Sequence, residues 1–298
     1  MCSKSSGKKN LVVAVVGVTN AGKSTIINAV VGEKVSIVSH RVQTTRRVIR
    51  GVAIVGAAQV MFLDTPGFCS ASTPLEKVLL ENFRGSYKGA DWILLVMDAT
   101  ARSHQQNIKF VERTKKSGIS IAVVINKIDA VRKESILEIV NSLAGYEHIK
   151  KVFMISALLD DGIDDLKQFL EEVALDGPWL YDEEQTTDST IHFRLAEITR
   201  EKVFARLKKE LPYSIYVETE LFRESEKKAT VYQSIVTLKD SQKGIVLGRN
   251  GMMIKAIKSD AIADMIAMLK KKVTLKLFVK VRERWTEKRE HLQDAGII

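Results

Sequence analysis

Short runs of aliphatic and β-branched residues recur through the first 178 residues, and each runs into polar ones. LVVAVVGV begins at Leu11, RRVIRGVAIV at Arg46, AAQVMFLD at Ala57, DWILLVMD at Asp91, SIAVVINKID at Ser120 and KVFMISAL at Lys151. Between them lie amphipathic stretches with helical period, starting near Lys23, Pro74, Ser103, Lys133 and Gly162. This alternation predicts an α/β domain, a mostly parallel sheet with helices on both faces. Four of the runs end where chemically distinctive residues begin, and the carboxyl ends of such strands are where α/β sheets bind ligands.

The pattern changes at LDGPWLYDEEQTTDST, Leu175 to Thr190, where glycine, proline and an acidic polar run break the periodicity. We take residues 1–178 as the first domain, 179–190 as a linker and 191–298 as a second domain. The second reads as α+β. A long helix starts at Ile191, strands start at Tyr213 and Ala229, and an apolar run, GIVL, is read as a strand leading into a glycine-bearing turn. A helix from Met252 and a strand from Val273 follow.

The composition agrees with two globular domains: 298 residues, 45% hydrophobic and 28% charged, can bury a proper core. The formal charge of +10 favours an anionic partner, and its distribution is uneven. Residues 239–298 hold 14 Lys and Arg against 7 Asp and Glu, the strongest basic excess in the chain. Cys2 and Cys69 can form neither a disulfide framework nor a CxxC metal site, which fits a reducing cytoplasm. The basic start followed by LVVAVVGV has the order of a secretory signal, but cleavage near Ala21 would destroy the loop described next. No apolar run approaches the roughly 20 residues that a spanning helix needs.

Gly17, Gly22, Lys23 and Ser24 match GxxxxGK[ST] directly after an apolar strand. Glycines there let backbone N–H groups, including those of Asn20, Ala21 and Thr25, crowd phosphate oxygens at a helix N-terminus. Lys23 would reach the β- and γ-phosphates, and the Ser24 hydroxyl would ligate Mg²⁺. DTPG, Asp64 to Gly67, ends a second apolar strand; Asp64 would hold the Mg²⁺ through water and the Gly67 N–H would sense a γ-phosphate. NKID, with Asn126, Lys127 and Asp129, decides the base. A carboxylate at Asp129 accepts from N1–H and the 2-amine of guanine, whereas adenine offers neither donor, so the site discriminates strongly. Ser156, Ala157 and Leu158 would supply a backbone N–H to guanine O6. In this order the four motifs predict a GTPase and exclude kinases and motors.

In the segment SHRVQTTRRVIRG, Thr44 or Thr45 should close on Mg²⁺ and the γ-phosphate; we favour Thr45, directly before Arg46. Ras-like switches place a water-orienting glutamine after the DxxG glycine. Here that place is Phe68, so slow intrinsic hydrolysis is expected. Asn20 resembles the asparagine with which some GTPases hold a monovalent cation near the β- and γ-phosphates, and K⁺-stimulated hydrolysis is expected on that basis. The predicted catalytic set is thus Lys23, Thr45, Gly67 and Asn20.

In the second domain, Gly248-Arg249-Asn250-Gly251 precedes a helix. A GxxG turn with a basic residue lets a nucleic-acid backbone approach closely, as KH modules do with about four nucleotides. Lys243, Lys255 and Lys258 surround it in sequence, and RNA binding is expected there. Trp92, Trp179 and Trp285 are read as packing residues.

With GVTNAGKST, QTTRR, DTPG, NKID and SAL, then KKELPYS, GRNG and VKVRERW, the chain resembles the Era family of bacterial GTPases over nearly its whole length. It departs at Thr19, where that family usually has proline. The resemblance implies a P-loop GTPase domain followed by a type II KH domain. It implies binding near the 3′ end of small-subunit (16S) ribosomal RNA, help in assembling the 30S subunit, and peripheral attachment to the inner face of the cell membrane by a cytoplasmic, monomeric protein. Two other readings stay open on the residues alone: an RNA-binding scaffold with a structural nucleotide, and a GTPase of tRNA modification.

Overall fold

The computed structural model describes residues 7–38, 45–67, 87, 89–208, 210–286, 292 and 297. The helix expected from Pro74, together with Cys2, Cys69, Thr44 and Phe68, lies outside them. The chain divides into two compact units, one ending at Asp188 and the other beginning at Ser189.

The first unit is built on strands β1 (Lys9–Val16), β2 (Ile49–Val55), β3 (Ala58–Asp64), β4 (Trp92–Asp98), β5 (Ser120–Asn126) and β6 (Ile149–Ile155), in the order β2-β3-β1-β4-β5-β6. Only β2 runs antiparallel to its neighbour within that path. A short seventh strand, β7 (Leu175–Asp176), pairs antiparallel with the start of β1. Helices α1 (Lys23–Val31), α2 (Gln105–Thr114), α3 (Lys133–Leu143) and α4 (Ile163–Glu172) cover the sheet.

The apolar runs are continuous because both sheet faces are buried, and the strand period of two sorts their side chains. Leu11, Val13 and Val15 of β1 join Leu94, Val96, Ala122 and Val124 in a core with Ile26 and Ile27 of α1 and Leu166 and Leu170 of α4. Ala14 and Val16 point the other way and join Ile93, Leu95, Ile121 and Val123 in a second core with Phe110 and Val111 of α2 and Ile136 and Ile139 of α3. With both faces covered, the sheet's carboxyl edge remains for chemistry.

The stretch read as a linker is strapped along β2 and β3 for most of its length. The Trp179 indole N–H donates to the Ala57 carbonyl, and the amides of Leu180 and Tyr181 both donate to Gln59 Oε1. The Val52 amide donates to Thr186 O, Thr187 Oγ1 to Arg50 O, and Arg50 pairs with Asp188 at 2.6 Å. Polar composition here marked a chain that satisfies the hydrogen bonds of a neighbouring strand rather than one that is solvated throughout.

The second unit has three strands, β8 (Tyr216–Glu224), β9 (Lys228–Thr237) and β10 (Lys272–Val281), in the order β10-β9-β8. β10 is parallel to β9, and β8 antiparallel to it. Helices α5 (Ile191–Arg206), α6 (Asp240–Leu247) and α7 (Met252–Leu269) bury Leu195, Val203, Val246, Ile257, Ala261 and Met265 against one sheet face. The long helix ends at Arg206, and Leu211–Ser214, with Pro212 in it, forms a separate 3-10 turn before β8.

The run GIVL, expected as a strand, lies within α6. A four-residue apolar run does not by period distinguish strand from buried helix, and here only Val246 faces the core. All three tryptophans pack: Trp92 edge-on to Phe169, Trp285 fully buried against Tyr216, and Trp179 beneath the Lys8 ammonium.

Candidate functional site

The loop between β1 and α1 turns sharply twice. Asn20 sits in the left-handed region at φ 64°, which asparagine tolerates, and Gly22 at φ 96°. A Cβ on Gly22 would meet Asn126 Nδ2 at 2.1 Å, so the loop closes on β5 only with glycine there. From α1, Lys23 turns back into the loop and its ammonium donates to the carbonyls of Gly17 and Val18 at 3.1 and 3.0 Å.

Four segments meet around one cavity of about 460 Å³. Among the predicted residues, Asn20, Gly22, Lys23, Ser24, Thr25, Thr45, Gly67, Asn126, Lys127, Asp129, Ala157 and Leu158 line it. Gly17, Ala21, Asp64 and Ser156 stand behind the lining. Thr19, Ile37, Val38 and Ala130 also line it and were not anticipated, since apolar residues between α1 and Thr45 carry no motif.

At one end three oxygens converge. Ser24 Oγ donates to Asp64 Oδ2 at 2.8 Å, Thr45 Oγ1 lies 3.2 Å from Ser24 Oγ and donates to Asp64 Oδ2 at 3.4 Å. Burial pushes the Asp64 carboxyl up, opposed by the Lys23 charge and the hydrogen bonds from Ser24 and Thr45. Its Oδ1 is buried with no hydrogen-bond partner among the described residues. A carboxylate oxygen orphaned beside two hydroxyls is an oxygen set suited to a hard divalent cation and its water. Gly67 lies against the loop, where a Cβ would fall 2.7 Å from the Thr19 nitrogen.

At the other end, the side chains of two residues expected to meet the ligand also brace the loops around it. Asn126 Nδ2 donates to the Ala21 carbonyl at 2.9 Å, and its Oδ1 accepts from the Ala157 amide at 3.1 Å. One side chain thereby ties the phosphate loop to the loop after β6. Ser156 Oγ donates to Asp129 Oδ1 at 2.6 Å and orients that carboxylate at the mouth of the cavity. Lys127, left-handed at φ 67°, is held by Asp98 Oδ2 at 2.5 Å. Asp98 in turn accepts from the Thr100 amide and hydroxyl. Burial alone would raise the Asp98 carboxyl, but the hydrogen bonds from Lys127 and Thr100 outweigh it and hold the group below the ordinary carboxylate range.

In the second unit, Gly248 (φ 70°) ends α6, and Arg249–Gly251 forms a single 3-10 turn into α7. A Cβ on Gly248 would lie 2.6 Å from Met253 Cβ, so this tight entry requires glycine. Arg249 and Asn250 project exposed from the turn, Lys255 is exposed one helical turn on, and Lys243 and Lys258 are half-buried. None of these four cations makes an ion pair within 4 Å among the described residues.

A family model described as "50S ribosome-binding GTPase" matches residues 12–127, and one described as "KH domain" matches residues 210–286. GTPase Era of Rhizobium meliloti (strain 1021) is 42% identical over 286 residues, 96% of this chain and 91% of that one. GTPase Era of Ehrlichia ruminantium (strain Gardel) is 41% identical over 290 residues, 97% of each chain. A crystal structure of Era in complex with MgGDPNP and nucleotides 1506–1542 of 16S ribosomal RNA superposes with a TM-score of 0.91 at 30% identity, covering 97% of this chain and 99% of that one. An Aquifex aeolicus Era variant bound to GDP.AlF4− superposes equally well. With relatives this similar over nearly the full length of both chains, the chain belongs to the Era family of GTPases.

Proposed function

We propose that this protein binds and hydrolyses GTP with Mg²⁺, and that it binds 16S ribosomal RNA near the 3′ end to assist 30S subunit assembly as a nucleotide-controlled switch. The observation that carries the reading is the convergence of four motif-bearing segments on one cavity, in a chain whose second unit presents a GxxG turn.

Asp129, fixed by Ser156, would accept from guanine N1–H and the 2-amine. The loop from Gly17 to Thr25 would cradle the phosphates with its amides, and Lys23 would leave the Gly17 and Val18 carbonyls to meet the β- and γ-oxygens. Ser24, Thr45 and Asp64 would hold Mg²⁺, which when bound neutralises charge on the β- and γ-phosphates. Water attacks the γ-phosphorus as the bond to the β-bridging oxygen breaks, releasing GDP and phosphate. Asn20, lining the cavity, is suited to hold K⁺ beside those phosphates.

The switch has a route through the chain and its hydrogen bonds. Thr45 would respond to the γ-phosphate four residues before β2, and β2 carries the strap that ends in the Arg50–Asp188 pair, beside the start of the second unit. In the second unit, Gly248 to Gly251 would admit the RNA backbone while Arg249, Lys243, Lys255 and Lys258 supply charge. The place of action follows from the partner: ribosomal subunits are assembled in the cytoplasm. Peripheral contact with the inner membrane face is supported only by the chain's positive charge, which attracts anionic lipid. Among the described residues no helix is long and apolar enough to cross a membrane.

The test is a pair of measurements on the full chain: GTP turnover, and affinity for RNA in the presence of a non-hydrolysable GTP analogue or GDP. Turnover together with nucleotide-dependent RNA affinity is expected. Identical RNA affinities in the two states would reject the switch, and absence of turnover would favour a scaffold with structural nucleotide.

A further inference from the structure

The basic excess after Lys239 is larger than the GxxG turn can absorb. Lys243, Arg249, Lys255 and Lys258 belong to the helical side of the second unit, but a further group lies on β10. That strand alternates strictly: Val273, Leu275, Leu277 and Val279 face the helices, while Lys272, Thr274, Lys276, Phe278 and Lys280 face away. The register places Lys272 beside Lys228, Thr274 beside Thr230 and Arg223, Lys276 beside Tyr232 and Leu221, and Phe278 beside Ser234 and Glu218.

Helices α5, α6 and α7 all pack on the opposite face. At the Tyr216 end it is closed by Trp285, whose ring lies 4.8 Å from that of Tyr216. One same-face position from that end Phe278 is 52% exposed, Leu221 beyond it is 36% exposed, and Lys272 and Lys276 toward the far end are exposed. The Lys276 ammonium sits 4.9 Å above the Tyr232 ring and donates to its hydroxyl. The carboxylates nearby are engaged: Glu220 holds Lys280 at 2.6 Å and Glu224 holds Lys271 at 2.7 Å. Arg223, Lys228, Lys272 and Lys276 have no ion pair within 4 Å among the described residues.

We propose that this open sheet face is a second RNA-binding surface, which takes unpaired RNA with bases stacked on Phe278 and Tyr232 and phosphates beside Lys272, Lys276 and Arg223. Aromatic rings interleaved with cations that no carboxylate neutralises are the chemistry of single-strand recognition, since every base has a face to stack and every linkage a charge. Lys272 and Lys276 lie about 13 Å apart along the strand, room for two phosphate contacts on one extended chain. The surface is distinct from the GxxG turn, which lies across the helical layer. It rests on the reading of the second unit as RNA-binding.

The test measures binding of the full chain to RNA spanning nucleotides 1506–1542 of 16S ribosomal RNA over a series of salt concentrations. Lys272→Ala/Lys276→Ala should lower the salt slope by about 1.4, since each single-strand phosphate contact contributes about 0.7. Phe278→Ala should weaken binding by about 5-fold or more, and Phe278→Trp should restore it. Lys115→Ala/Lys116→Ala, which removes the same charge from exposed residues of the first unit, should leave the slope unchanged. Unchanged affinity and slope in the sheet variants, with Arg249→Ala still weakening binding, would overturn this surface and leave the turn intact. A loss no greater than that of the Lys115/Lys116 control would overturn it as generic charge. Failure of the unaltered chain to bind the RNA would remove both.

Discussion

Replacing Gly22 by alanine should damage two properties at once. The new Cβ would sit 2.1 Å from Asn126 Nδ2 and 3.4 Å from its Cγ, on a backbone at φ 96°. Asn126 cannot swing away at no cost, because it is 3% exposed and bonded to the Ala21 carbonyl and the Ala157 amide. The left-handed backbone costs about 1 kcal/mol with a side chain. Each buried hydrogen bond broken with a partner left behind costs about 1–3 kcal/mol. The sum is about 3–7 kcal/mol of stability in the first unit. Displacing Asn126 also shifts Lys127 and Asp129 relative to the phosphate loop, so GDP affinity should fall about 100-fold. Urea unfolding followed by circular dichroism, with GDP titrations, measures both. Because the clash is with one side chain, Gly22→Ala made in an Asn126→Ala background should cost only the backbone term, about 1 kcal/mol. Strict additivity of the two substitutions would refute the strut, as would a Gly22→Ala variant of ordinary stability.

Asp98→Asn should weaken GDP binding by about 3- to 10-fold in calorimetry, since Lys127 loses its charged anchor at a half-exposed site. The Asp98 carboxyl is held below its ordinary value in the folded chain, so its contribution to stability is present above the ordinary carboxylate range and lost as pH falls through the depressed one. The unaltered chain should therefore lose stability relative to Asp98→Asn only below about pH 4. Turnover should be faster in K⁺ than in Na⁺ buffer, and Asn20→Ala should abolish the difference; equal rates in both salts for the unaltered chain would remove the cation from the mechanism.

Much of this was legible along the chain because it is local. The phosphate loop, DTPG, NKID and SAL each work through a few consecutive residues, so their spacing predicted a guanine-nucleotide site at the ends of the apolar strands. The long periodic segments from Ile191 and from Met252 declared their helices for the same reason, although the helices end at Arg206 and Leu269, short of the periodic stretches read to Leu211 and Lys272. The GIVL run did not, since four apolar residues have no period to read.

What chain order could not show were contacts between residues far apart in sequence. The bracing roles of the Asn126 and Ser156 side chains were not visible, because their partners Ala21, Ala157 and Asp129 become neighbours only when the loops close. Asp98 belonged to no motif until the pairing of β4 with β5 set it beside Lys127. The polar stretch from Trp179 to Asp188 looked like open linker, and it is bonded to β2 and β3 because a strand edge there needs partners. The alternation in β10 was plain in the letters, but which of its faces the helices cover, and so where Lys272, Lys276 and Phe278 meet solvent, depended on packing. Local rules act through neighbouring residues; burial and pairing are properties of the whole chain.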